Sequence, residues 1–306
     1  MLNRLCMLSL TRWRYIGLGI SSLVTLLALG VLLSQGLHLG LDFTGGLLLE
    51  LNITTLQSPA ELNQLLANAG ASGLQLLPGG GAGEWLLKLP PSVQLGSPQE
   101  VVDQLHQLLQ LPVELIRANQ VGPQVGSELF EQGLLALLVA SVAISVYLGM
   151  RFEWRQAVGV LLSVAHDAVL ALGLLAWMQI EFDLNVIAGL MAVIGYSLND
   201  SIVISDRLRD LLQARVTTDI HSCSDRAIKA TFSRTMITSG TTLFTVGALL
   251  LFGGEALYGF AFTLFAGVLV GTVSSITIAS TVQELLGLST AAYDKKQIET
   301  EVWDGV

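Results

Sequence analysis

The sequence predicts an α-helical polytopic membrane protein with six transmembrane helices and one α+β extracytoplasmic domain inserted between helices one and two. Three observations carry that prediction. Of 306 residues, 52% are hydrophobic and only 13% are charged, a balance that belongs to chains dissolved in lipid rather than in water. Six stretches reach the ~18 apolar residues that a bilayer crossing needs: 15–35, 129–149, 157–178, 184–205, 235–252 and 257–282. Between the first two lies a stretch whose apolar residues follow short strand and helix periods instead.

The first run, 15–35, follows Arg4, Arg12 and Arg14 and is read as a retained span. It exceeds the ~7–15 apolar residues of a signal-peptide core, and Ser34-Gln35-Gly36 is a poor cleavage site. Orientation follows from the basic residues, because 13 of 15 fall at Arg4, Arg12, Arg14, Arg151, Arg155, within 206–234, or at Lys295 and Lys296. Those segments are expected to face the cytoplasm, which leaves only Lys88 and Arg117 on the other side. The expected division is thus a cytoplasmic N-terminus 1–14, a first helix 15–35, an extracytoplasmic domain 36–126, a five-helix remainder 127–285 and a cytoplasmic tail 286–306. The net charge of −9 comes with scattered rather than clustered basic residues, so no nucleic acid partner is expected. Two cysteines, Cys6 and Cys223, cannot build a disulfide framework and are read as thiols.

Within 36–126 the order reads strand 45–53, helix 59–68, strands near 73–77 and 84–89, helix 98–110 and strand 113–120. Both helices open alike, Ser58-Pro59-Ala60-Glu61 and Ser97-Pro98-Gln99-Glu100: a serine cap, a proline at the first helical position and a glutamate placed to close a capping box. Two such starts on either side of a glycine-rich hairpin, Pro78 to Gly83, predict a duplicated βαβ unit and a ferredoxin-like βαββαβ sheet. No helix start or lysine follows those glycines, so they do not form a phosphate loop.

Polar residues inside the spans carry the functional signal. His166-Asp167 lies in the third span, Asn199-Asp200 in the fourth and Arg234 at the start of the fifth, each costing about 2.5–3.5 kcal/mol at mid-membrane on insertion scales. Asp200 lies about 9 Å inside the interface marked by Asp206, and Arg234, on an antiparallel neighbour at similar depth, is its natural partner. Burial favours the neutral carboxyl and a guanidinium the ionised one, so the pair can serve as a titrating device; a structural pair locking helix packing and a residue close enough to the interface to snorkel are the alternatives. The fifth span is rich in hydroxyls, including Thr235 and Thr238, some of which can bond back to their own helix. The four histidines, His38, His106, His166 and His221, belong to no metal-ligand motif, and no nucleophile constellation is present, so neither a cofactor nor covalent catalysis is expected; the energy source would be a proton gradient.

Several motifs resemble one family. "GLDFTGG", residues 40–46, resembles the segment with which SecF-type members of the bacterial protein-export accessory machinery leave their first helix. "GYSLNDSIVISDRLRD", residues 195–210, resembles their fourth-helix signature, "SRTMITSGTTL", residues 233–243, their fifth-helix start, and His166-Asp167 a third-helix pair. Ser201 stands for the usual Thr and Leu198 for the usual Ile. The resemblance, over roughly 14–285, implies membership of the resistance-nodulation-division superfamily and a twelve-helix core completed by SecD. It further implies work beside the SecYEG channel, with YajC a further candidate neighbour, on a translocating preprotein at the expense of the proton-motive force. It implies that Asp200 is the protonated carboxylate, Arg234 its charge partner and Asp167 a supporting group, with Asn199, Ser201, His166, Thr235 and Thr238 as supporting polar residues. Asp42, Phe43, Thr44, Gly45 and Gly46 would form the hinge or turn into the domain. A half-exporter acting as a homo-oligomer and a non-transporting scaffold stay open as alternatives, as does the choice between a bacterial plasma membrane and an internal one.

Overall fold

A computed structural model describes residues 2–53, 75–78, 83–89, 97–109, 111–215, 219–290 and 293. Six helices among them are long and apolar enough to cross a bilayer. The first is Leu2–Gln35, the second Pro123–Arg151, the third Trp154–Met178, the fourth Leu184–Gln213 and the fifth Ile220–Phe252. The sixth runs from Glu255 to Ser274, widens into a π-helical turn at Ser275–Ala279 and finishes as Ser280–Leu285.

Side-chain caps fix where several of these helices start. Asp183 Oδ1 accepts from the Val186 amide at 2.8 Å, Glu153 from the Arg155 amide at 2.9 Å, and Asp219 from the amides of His221 and Ser222. The Asp219 cap corrects one expectation. The fifth helix starts at Ile220 rather than near 235, because its first turns carry Ser224, Asp225 and Thr231, which are polar yet buried, and an apolar scan stops short of them.

The third, fourth and sixth helices form the interior of the bundle. In their most apolar 18-residue windows they bury 44%, 44% and 39% of the residues, against 0%, 11% and 17% for the first, second and fifth. Close approach relies on small residues, as expected where lipid removes the hydrophobic drive between helices. A Cβ at Gly173 would sit 2.6 Å from Ala28 Cβ on the first helix, and one at Gly267 would collide with Val193 on the fourth.

Between the first and second helices the chain forms a four-stranded antiparallel sheet of order β2-β3-β1-β4, with β1 Gly46–Asn52, β2 Gln75–Pro78, β3 Glu84–Leu89 and β4 Glu114–Val121. Alternation sends Leu47, Leu49, Leu51, Trp85, Leu87 and Leu89 to one face, where they pack on Val101, Val102 and Leu105 of the helix Pro98–Leu109. That helix opens as its sequence dictates, with Ser97 Oγ 3.4 Å from the Glu100 amide. The first predicted helix, 59–68, and residues 79–82 of the glycine-rich turn lie outside the described residues, as does most of the tail beyond 290.

The segment leading into the sheet is fastened to the bundle. Leu41–Thr44 makes a single helical turn, and Gly45 and Gly46 then take φ of 73° and 140°, conformations that only glycine adopts without strain. Phe43 is buried against Phe130 and Phe182, while Gly40 N donates to the Phe182 carbonyl at 2.8 Å and Phe182 N to that of His38 at 2.7 Å. Gly126 of the second helix passes so close that a Cβ there would lie 2.7 Å from the Phe43 carbonyl oxygen. Gly126→Ala is therefore expected to destabilise the protein by about 1–3 kcal/mol. Gly149→Ala, on the same helix with open space around it, should leave stability unchanged or raise it by about 1 kcal/mol. Thermal unfolding of the detergent-solubilised variants measures both.

Candidate functional site

The fourth helix carries a buried stripe of Ser197, Asp200, Ser201, Ile204, Ser205 and Leu208, spaced three and four apart as a helix interior requires. Asp200 is 2% exposed and accepts one hydrogen bond, from Ser239 Oγ of the fifth helix at 3.4 Å. Ser239 Oγ in turn lies 3.1 Å from the Tyr196 hydroxyl and 2.8 Å from Thr272 Oγ1 of the sixth helix. A cluster of hydroxyls thus converges on a carboxylate whose loss of water is compensated by a single long bond. The hydroxyls of Ser201 and Thr235 are buried beside it with no protein partner.

Arg234 is not the ionic partner of Asp200 in this structure. Thr235 and Ser239, four residues apart, face inward from the fifth helix, and Arg234, one residue and about 100° away, lies on the exposed side. Asn199 is likewise exposed. Thr238 bonds back to the carbonyls of Arg234 and Thr235, as Thr241 and Thr245 do one and two turns further on.

Asp167, fully buried on the third helix, is far better held. Its Oδ2 accepts from Ser197 Oγ and, at 2.7 Å, from Ser274 Oγ, while its Oδ1 lies 2.9 Å from His166 Nδ1. Gly271 makes room for this arrangement, since a Cβ there would approach Ser197 Cβ to 3.3 Å. Ser197 and Asp200 are about 4.5 Å apart along one helix, so the two carboxylates occupy adjoining polar sites with opposite character. One has both oxygens engaged, and the other is nearly unheld.

A second polar centre escaped the sequence reading. Arg14 of the first helix donates to Asp225 of the fifth at 3.0 Å and to Glu284 of the sixth at 2.7 Å. All three side chains are 1% exposed. Thr11 Oγ1 lies 2.9 Å from Asp225 Oδ2, and His221 Nδ1 2.8 Å from Glu284 Oε2. From the sequence alone Arg14 reads only as part of a cytoplasmic basic segment, and neither Asp225 nor Glu284 is singled out.

The "GLDFTGG" segment is tied to the fourth helix. Asp42 Oδ2 accepts from the Leu184 amide at 3.1 Å, one residue beyond the Asp183 cap, and Lys88 of β3 pairs with Glu181 at 2.6 Å. Burial pushes the Asp183 carboxyl above the usual range, opposed by its bond to Val186 and reinforced by Asp42 and Glu181 nearby.

Residues 101–288 match the family model described as protein export membrane protein SecD/SecF, C-terminal, and residues 30–55 the SecD/SecF GG motif. The protein translocase subunit SecF of Escherichia coli O157:H7 is 39% identical over 299 residues, covering 95% of this chain and 91% of that protein. The SecF subunit of Pseudomonas aeruginosa is 41% identical over 281 residues, covering 90% of each. Among solved structures, SecDF of Thermus thermophilus, described as a translocon-associated membrane protein, superposes with a TM-score of 0.76 at 33% identity over 89% of this chain. A SecDF structure in a super-membrane-facing form gives 0.66 at 32% identity over 95%. The chain spans 37% and 39% of those two longer proteins.

The two carboxylates should differ sharply on truncation. Asp167→Ala strands the hydroxyls of Ser197 and Ser274 and is expected to cost about 2–5 kcal/mol, whereas Asp200→Ala should cost under about 2 kcal/mol. Thermal unfolding in detergent reads the order, and equal losses would contradict it.

Proposed function

Because this chain belongs to the SecD/SecF family of protein export membrane proteins, we propose that it acts as a SecF-type subunit that draws on the proton-motive force to promote preprotein translocation. Its relatives are named translocase subunits, and it is a multi-pass integral membrane protein of six helices. On this reading SecD covers the exposed faces of the first, second and fifth helices, Arg234 included, and completes a larger bundle. On the same reading both termini lie on the cytoplasmic side of the bacterial inner membrane, an orientation that the distribution of basic residues supports. The sheet, with the strand order of a ferredoxin-like βαββαβ domain, lies on the other side, near the SecYEG channel, the emerging preprotein and YajC.

One observation carries the coupling role: Asp200 is buried at 2% exposure with a single 3.4 Å hydrogen bond. A proton arriving there disturbs few existing bonds, yet it changes the charge at the junction of the fourth, fifth and sixth helices, a two-state element of the kind a driven machine needs. Asp167, with its oxygens engaged by Ser197, Ser274 and His166, is the fixed neighbour that holds the third, fourth and sixth helices together. At about 2.3 kcal/mol per charge per 100 mV, one proton biases such an equilibrium more than tenfold. The work is mechanical and needs no covalent intermediate.

The test is preprotein export into sealed inverted vesicles with and without a proton gradient. Asp200→Asn, at equal complex abundance, should reduce the rate with a gradient to the rate without one. Full gradient stimulation in that variant would remove Asp200 from the coupling path.

A further inference from the structure

The Arg14 cluster has an unbalanced charge. Two buried carboxylates, Asp225 and Glu284, share one guanidinium, and an excess charge out of water is costly unless something neutralises it. A balancing positive charge is available within the cluster itself. His221, with its side chain 46% exposed, is the cluster's opening to solvent, and its Nδ1 lies 2.8 Å from Glu284 Oε2. A proton on either partner of that hydrogen bond brings the cluster to neutrality.

We propose that Glu284 and His221 form a second proton-exchange site, at the end of the bundle nearest the N-terminus, with Arg14 and Asp225 holding Glu284 in position. The proposal deepens the proton-coupled reading of Asp200 and rests on it. A proton passes between solvent and the imidazole of His221, and between that imidazole and Glu284 Oε2. No covalent bond to carbon forms or breaks.

The surroundings fit that role from each packed element. Tyr15 of the first helix reaches Glu284 Oε2 with its hydroxyl at 3.4 Å and sets its ring edge-on to His221, 6.2 Å between centroids. Asp219, the cap of the fifth helix, is held below the usual carboxylate range by the Ser222 hydroxyl and places an acidic group beside His221. From the third helix Arg155 donates to the Leu286 carbonyl at 3.0 Å, just past Glu284.

Buried polar groups also lie on the helices between this cluster and Asp200. Gln283 Nε2, next to Glu284, donates to Ser205 Oγ of the fourth helix at 2.9 Å. The hydroxyls of Ser201 and Thr235, on the helices that carry Asp200 and Ser239, and of Ser224 and Thr281, on those that carry Asp225 and Glu284, are buried without a protein partner, as are Asn52 Oδ1, Trp85 Nε1 and His166 Nε2 elsewhere. Native interiors satisfy nearly all such groups, so polar atoms with spare bonding capacity accompany both carboxylates.

Two measurements test the site. In inverted vesicles carrying the whole complex, where the bathing solution meets the former cytoplasmic face, Glu284→Gln and His221→Asn should each lower the gradient-dependent rate roughly tenfold and flatten its dependence on bath pH. Infrared titration of the purified complex between about pH 5 and 9 should show a protonated-carboxyl band that Glu284→Gln removes and His221→Asn shifts in pH. His221→Asn, at a half-exposed position, keeps the variant set informative if Glu284→Gln assembles poorly. If the unmodified complex shows no gradient-dependent component, the Asp200 reading fails, and the infrared titration still decides whether Glu284 exchanges protons. If Asp200→Asn abolishes the component while His221→Asn behaves as the unmodified complex, or if no band disappears with Glu284→Gln, the second site is overturned.

Discussion

Taking a charged side chain out of water costs several kcal/mol, and that cost organises this bundle. Asp167 and Arg14 are each met by partners from two other helices, so the polar contacts fix which helices neighbour one another. Asp167 joins the third, fourth and sixth helices through Ser197 and Ser274, and Arg14 joins the first, fifth and sixth through Asp225 and Glu284. Apolar packing alone would hold the helices together without specifying their rotation. Asp200 is the exception, with one long bond where its neighbours have two or three, and exceptions to polar satisfaction concentrate where a protein changes state.

The peripheral helices obey a different constraint. Where the first, second and fifth turn outward they present Leu26, Leu135, Val146, Ile237 and Phe244, side chains suited to lipid or to another membrane protein. Arg234 stands on that same outward side, and a guanidinium at that depth needs a polar counterpart. The SecDF chain that it superposes upon is much longer, and this chain spans 37% of it.

Much of this was legible in the sequence. Lengths of apolar runs placed six helices, strand alternation placed the sheet, and Ser97-Pro98 opened its helix as written. Asp200 and Asp167 stood out as carboxylates within apolar runs, and both are buried in the bundle. Azimuth was not legible: Arg234 and Thr235 lie at nearly equal depth, yet one faces outward and the other inward, and a one-dimensional scan cannot separate them. The Arg14 cluster was lost for a related reason, because a charge at the end of an apolar run reads as solvated until a third helix is known to cover it. Glu284, an acidic residue at the end of the last span beside the polar Ser280, Thr281 and Gln283, was a signal available.

The wide turn at Ser275–Ala279 gives the sixth helix a change of phase. A π-helical turn accommodates an extra residue, so everything after it is offset by about 100° from the direction that an unbroken α-helix would give. Ser274, before the turn, addresses Asp167, while Glu284, after it, addresses Arg14 and His221. One rod therefore serves two clients on two bearings. Without the extra residue of that turn, Glu284 would point away from Arg14 while Ser274 still met Asp167, so the two polar centres are held in common only by this break in phase.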